Sequence, residues 1–329
     1  MRAAGTVLFT LPHGSVIIMH IGAFLKATGA REYAMGSIRD AVILAGGRGT
    51  RMLPASLYVP KETMPLLDTP IINHLIWEAA RAGVSRIHLV LSERKSNFLE
   101  EFLGGGDIHD EAVREDLPRD SLRMGVEGVT IIPHIQSDPG GMADAVSVTL
   151  DEIEGPFLVL LGDNLLIEDH VGPRHSGPNY ASLASSKLVS SFEESGFPCV
   201  GVLPVRAEEI CNYGVVEFSG GLVSDIVEKP MISAAPSEYV LCGRYIFPEN
   251  TKEILEQYPV SEYGELQSIF LQRHLIRNGG LAAVKLDNMQ MYDSGDPVAW
   301  LKSQIDHCLR RSDTGEDLSN WIEKRIGRY

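Results

Sequence analysis

Along the chain, short apolar runs alternate with stretches whose apolar positions recur every three or four residues. Ala41 to Ala45 is a continuous apolar run of the length that suits a strand buried on both faces. Ile71 to Ala82 carries helical spacing and stops at Gly83, Arg86 to Leu91 is strand-like, and Ser92 to Leu103 reads as a helix broken by Gly104-Gly105-Gly106. Val129 to Ile135 predicts a strand, Gly140 to Ile153 a helix, and Phe157 to Leu161 a buried strand ending at Gly162-Asp163-Asn164. Later come a hairpin turning at Gly220-Gly221, strands at Val240 to Tyr245 and Leu281 to Leu286, and helix-like segments at Asp296 to Arg311 and Leu318 to Ile326. This alternation from Ile38 onward predicts an α/β fold, a mostly parallel sheet with helices on both faces. Asp107 to Gly125 and Asp169 to Asn179 are polar and turn-rich, and read as surface excursions. No internal repeat is present.

Residues 1–36 stand apart. Arg2 precedes the apolar pieces VLFTL and SVIIMHIGAFL, and small residues follow at Ala27-Thr28-Gly29-Ala30, which imitates a signal peptide. Pro12, His13, Gly14 and His20 interrupt the run, and no stretch reaches the roughly 18 apolar residues of a membrane span. We expect a weakly ordered extension, with Met35 the functional start, before a single domain at 37–311 and a helical tail at 312–329.

Composition changes the picture in two respects. A formal charge of −15 over 329 residues excludes a basic face for nucleic acid, so the cations that matter must be local to a site. Cys199, Cys211, Cys242 and Cys308 show no metal or redox spacing and read as reduced thiols.

Chemistry concentrates after the first buried strand, in AGGRGTR (Ala45 to Arg51). Glycine there allows a tight turn and close approach to a ligand, and successive N–H groups of such a loop suit phosphate oxygens. Arg51 adds a forked cation, and Pro60-Lys61-Glu62 a second one. The spacing matches neither G-x-x-x-x-G-K-[ST] nor G-x-G-x-x-G, because Arg51 and Met52 stand where a third glycine belongs. Gln136 to Ala145 is a turn into a helix with glycine in its first turn. Asp163 ends a central strand, where an aspartate serves equally as turn former or metal ligand. Glu228-Lys229-Pro230, alone, reads as readily as an exposed pair before a turn.

The loop, followed by Pro60-Lys61-Glu62-Thr63-Met64-Pro65-Leu66-Leu67-Asp68, resembles the sugar-1-phosphate nucleotidyltransferases, and within them the uridylyl branch. The resemblance implies a Rossmann-like single domain transferring a uridylyl group from UTP to glucose-1-phosphate with Mg²⁺, in the cytoplasm, as a homo-oligomer (dimer or tetramer). It assigns Ala45, Gly46, Gly47, Gly49, Thr50, Gln136 and Gly141 to the nucleotide. Asn164, Gly214, Glu228, Lys229 and Gly243 fall to the sugar phosphate, Asp163 and Asp293 to the metal, and Arg51, Lys61 and Lys229 to catalysis. Val240 to Tyr245 and Gly264-Glu265-Leu266-Gln267 match the uridylyl branch, whereas Gly162-Asp163-Asn164 is closer to the thymidylyl branch. Gln136 suits uracil and thymine alike. Asp68-Thr69-Pro70 lacks the lysine common between Asp and Pro, and no hexapeptide-repeat β-helix follows the domain. A catalytically dead regulatory relative is the alternative of another class, opposed by the five retained charged residues.

Overall fold

The structure, a computed structural model, describes residues 37–98, 117, 125–138, 140–258 and 268–326, with backbone alone at 6–10, 16–20 and 96–98. Strands β1 (Thr6–Thr10) and β2 (Val16–His20) form an antiparallel pair of their own. The buried run predicted at Ala41 is β3 (Asp40–Leu44). After it come the two-residue strands β4 (Pro65–Leu66) and β5 (Thr69–Pro70), β6 (Arg86–Ser92), β7 (Thr130–Gln136), β8 (Phe157–Leu161) and β9 (Asn164–Ile167). The second half supplies β10 (Cys199–Pro204), β11 (Gly214–Ser219), β12 (Leu222–Glu228), β13 (Tyr239–Phe247), β14 (Ala282–Lys285) and β15 (Gln290–Asp293).

The central sheet runs β12-β11-β13-β8-β3-β6-β7, with β10 joined to β13 and β14 to β10. Its β8-β3-β6-β7 block is parallel, and among its described strands β12 and β13 run against the rest. The alternation predicted a mostly parallel sheet, and this is one. Side chains of β3 divide by the period of two: Ala41 and Ile43 enter one core, Val42 the other. Helices α1 (Ile71–Arg81) and α3 (Ala184–Ser195) pack on the first face through Leu75, Leu188 and Phe192. On the opposite face lie α2 (Met142–Ser147), α4 (Thr251–Glu256) and α5 (Ser268–Asn278), with Val146, Ile254 and Leu271 inward. The chain ends in α6 (Pro297–Arg310), whose N-cap Asp296 accepts from the N–H groups of Val298 and Ala299, and α7 (Gly315–Ile326).

One predicted helix is shorter than its apolar spacing. Over 140–153, α2 stops at Ser147, because Ser147 and Thr149 hydroxyls donate to the carbonyls of Asp144 and Val146 and compete with helix continuation. Within 92–103 the described part is a 3₁₀ segment, Glu93–Phe98. The excursion at 107–125 and the Gly264 to Gln267 motif fall largely or wholly outside the described residues. All four cysteines are free thiols, buried except Cys211. Asp68 accepts from Arg311 at 2.6 Å, so a cation from α6's C-cap meets it.

Three histidines gather where α1 meets α6. His170 and His307 lie Nδ1 to Nδ1 at 3.0 Å, and the buried Nε2 atom of half-buried His74 has no protein partner. Burial pushes His74 down to about 4 and His307 to about 3. Both stay neutral in the fold but take a proton near pH 6.5 once unfolded, so stability falls as pH drops from about 6.5 toward 4. Each depressed histidine is expected to cost about 2 kcal/mol at pH 5 relative to pH 7. Urea midpoints at the two pH values check this, and His74→Leu should flatten the slope; a slope unchanged by it would clear His74 of the role.

Candidate active site

The Gly-rich loop leaves the C-terminal end of β3, at the sheet edge where open α/β folds take ligands. Gly49 has φ 63, and the Ser56 hydroxyl donates to its carbonyl at 2.8 Å, closing the turn before a short 3₁₀ segment, Thr50–Met52. A Cβ on Gly46 would lie 3.0 Å from Gln136 Oε1, so this glycine is what lets the end of β7 stand against the loop. Gln136 is buried, and its amide nitrogen donates to Asp144 on α2 at 2.5 Å. Gly141, with φ 105, forms the N-cap of α2 beside it. The loop, Gln136 and Gly141 thus belong to one corner.

The two predicted cationic and metal-ligating sets also meet. Lys61 is buried, and its Nζ donates to Asp163 Oδ2 at 2.7 Å. Burial works to raise the Asp163 carboxyl, but the charges of Lys61 and Arg51 hold it below the ordinary carboxylate range. Gly162 passes so near β3 that a Cβ would sit 2.3 Å from the Leu44 carbonyl, which positions the aspartate after it. Strands β9 and β15 pair Asn164 with Asp293, and Ser294 N–H donates to the Asp163 carbonyl at 3.0 Å. The two aspartates therefore sit on neighbouring rungs of one ladder. Arg51 stands close by, since a Cβ on Gly295 would lie 2.7 Å from its guanidinium and 2.8 Å from Asp293 Oδ1. Carboxylates are the hard oxygen donors a divalent cation requires.

A cavity of about 850 Å³ opens here, lined by Arg51, Lys229, Asp293, Tyr213, Arg206 and Lys302 among others. A second one, about 440 Å³, lies across the loop and is lined by Thr50, Pro60, Lys95 and Ser137 among others. Among the residues expected at the sugar phosphate, Gly214 pairs with Glu228 across β11 and β12, and a Cβ on Gly214 would be 3.0 Å from the Glu228 carboxylate. Lys229 follows with φ 45, a left-handed turn that few non-glycine residues adopt, its N–H donating to the Tyr213 carbonyl. Gly243, φ 76, lets Asn164 and Leu161 approach to 3.0 Å of where its Cβ would be.

Two residues escaped the motif reading. Lys95 is buried, and its Nζ donates to the Ala45 carbonyl at 2.6 Å, the Gly47 carbonyl at 2.8 Å and Glu62 at 2.8 Å. It ties the Gly-rich loop to the Pro60-Lys61-Glu62 segment, so Glu62 acts through Lys95 and not on a ligand. Burial holds Glu62 above its usual range and Lys95 below it, each against the pull of the other. No spacing marked Lys95, which looks like one more surface charge in Glu93-Arg94-Lys95. Arg244, read as part of a sugar-side motif, is fully buried and holds Glu78 and the Asn164 carbonyl.

Known proteins similar to this chain are numerous. The UTP–glucose-1-phosphate uridylyltransferase YngB of Bacillus subtilis (strain 168) is 29% identical over 300 residues, 88% of this chain and 96% of that protein. The solved UTP-bound UGPase from Acinetobacter baumannii superposes with a TM-score of 0.72 at 27% identity, over 87% of this chain and 98% of that one. A UDP-glucose pyrophosphorylase complexed with UDP-glucose matches with a TM-score of 0.68 at 26% identity, over 82% and 98%. The family model for nucleotidyl transferases matches residues 40–304, a span that holds every site residue described above, and the chain belongs to that family.

Proposed function

We propose that this chain transfers a uridylyl group from UTP to glucose-1-phosphate, giving UDP-glucose and pyrophosphate. The observation that carries the reading is the convergence of Arg51, Lys61, Asp163, Lys229 and Asp293 at one end of the sheet, around the Gly-rich loop. The relatives named above, acting on UTP or bound to UTP and UDP-glucose, point the same way.

The nucleophile is an ionised phosphate oxygen of the sugar phosphate, so no serine or cysteine nucleophile is needed. That oxygen attacks the α-phosphorus of UTP in line, a new P–O bond forms, and the bond to the β-phosphate oxygen breaks with pyrophosphate as leaving group. The protein's task is to bring two anions together and stabilise charge on the transferred group. In this reading the loop amides from Gly46 to Gly49 and Arg51 hold the leaving pyrophosphate, Lys61 the α-phosphate and Lys229 the attacking phosphate. Gln136 and Gly141 take the base, while Glu228, Gly214, Asn164 and Gly243 shape the sugar end. Asp163 and Asp293 would hold Mg²⁺, whose charge, when bound, offsets that of the phosphates. Substrates of this kind favour a cytoplasmic location. Val298, Leu301, Ile305 and Leu309 expose one apolar stripe of α6, which favours self-association into a homo-oligomer.

Pyrophosphate release with Mg²⁺, crossing UTP and dTTP against glucose-1-phosphate, tests the proposal. A strong preference for UTP is expected. A preference for dTTP would make Gly162-Asp163-Asn164 the better guide and the protein a thymidylyltransferase. Silence with every nucleotide and sugar phosphate would leave the regulatory reading.

A further inference from the structure

Apart from the phosphate-binding corner, the sheet carries a second cluster of chemistry-bearing side chains. His88, on β6, is fully buried between two partners: its Nε2 lies 3.0 Å from Asp40 Oδ1, and its Nδ1 lies 2.9 Å from His134 Nε2 on β7. Asp40 is an ionised acceptor, because His88 and Arg86 hold its carboxyl below the ordinary range against the effect of burial. His88 therefore donates its Nε2 proton to Asp40 and turns Nδ1 inward. The ring of His134 has a backbone partner in Val148. With Nε2 already facing His88, that partner serves Nδ1. Glu152, exposed on the turn after α2, completes the group: one ligand atom from each of His88, His134 and Glu152 lies within 4.8 Å of the others.

We propose that His88, His134 and Glu152 form a binding site for Zn²⁺, built across β6, β7 and the turn between α2 and β8. Two imidazoles and a carboxylate are a common ligand set for that ion. Both imidazoles also have the outer-shell arrangement of metal-bound histidines, with the nitrogen that points away from the cluster held by a carboxylate or the backbone. Tetrahedral bonds of zinc length need ligand atoms about 3.3 Å apart. The two nitrogens now face each other nearly head-on, 2.9 Å apart with ring centroids 5.1 Å apart, so each ring turns to aim its lone pair at a common point, and the exposed Glu152 side chain swings in to meet them. His134 and Gln136 stand on the same face of the edge strand β7, so an ion there would also stiffen the strand that presents Gln136.

The test is independent of the uridylyltransfer reading, since it measures binding. The full chain, stripped with EDTA and held in excess Mg²⁺ to occupy hard oxygen sites, is titrated with Zn²⁺ against a chromophoric chelator. One saturable site is expected, with a raised melting temperature. His134→Ala should abolish the site, and Glu152→Gln, at an exposed position that leaves the fold intact, should weaken it at least about tenfold. No saturable binding by the wild type, or unchanged affinity in either variant, would overturn the proposal.

Discussion

Lys61→Ala is expected to lower turnover in the uridylyltransfer assay by roughly 10²–10³-fold, the scale of losing one preorganised donor at the reacting group. Lys61 is buried and touches Asp163 at 2.7 Å. Truncation removes the cation proposed to face the nucleotide and leaves a half-buried carboxylate without its closest charge. The Asp163 carboxyl should then rise, since burial is the largest influence on it and Lys61 the main opposing one. The acid limb of the rate profile would move to higher pH as the carboxylate protonates earlier. Steady-state rates across pH, with a melting curve to show that the variant folds, measure both effects. Near-full activity in a folded variant would remove Lys61 from the mechanism.

The largest effect on stability is expected at Arg244. Its guanidinium, fully buried, meets both carboxylate oxygens of Glu78 at 2.8 and 2.9 Å and the Asn164 carbonyl at 3.0 Å, while Ser185 donates to the same carboxylate at 2.6 Å. Arg244→Met leaves the Glu78 charge in the core with no counter-ion, a change that costs about 3–5 kcal/mol. Replacing both by apolar residues removes the uncompensated charge, so Arg244→Met with Glu78→Leu should recover much of the loss. Urea unfolding of the single and double variants decides it; a single variant within about 1 kcal/mol of wild type would show the pair to be dispensable. Because Arg244 also anchors the residue after Asp163, the single variant should lose activity before it unfolds.

How far the sequence could be read depended on where each signal lies. The loop from Ala45 to Arg51 was legible because its glycines, cations and preceding strand are contiguous. Asp163 and Asp293 could be named from their local contexts, but the sequence reading had no strand at Gln290–Asp293, and it is the pairing of β15 with β9 that sets them on adjacent rungs. Strand β10 and helices α3 and α4 also went unread, their patterns being short or diluted by polar residues. The predicted helix length at 140–153 overran, since apolar spacing does not register the hydroxyls that end α2.

The sequence by itself determined the α/β alternation, the pattern of glycines and cations in the loop and the residue types of the candidate site, because those depend on neighbours a few positions apart. Only the tertiary structure decided which charges are partners: Lys61 with Asp163 at a separation of 102 residues, Lys95 with the loop carbonyls, Arg244 with Glu78 at 166. Burial determines which polar groups must find a partner and how strongly a charge acts, and burial is a property of the assembled sheet and its helices.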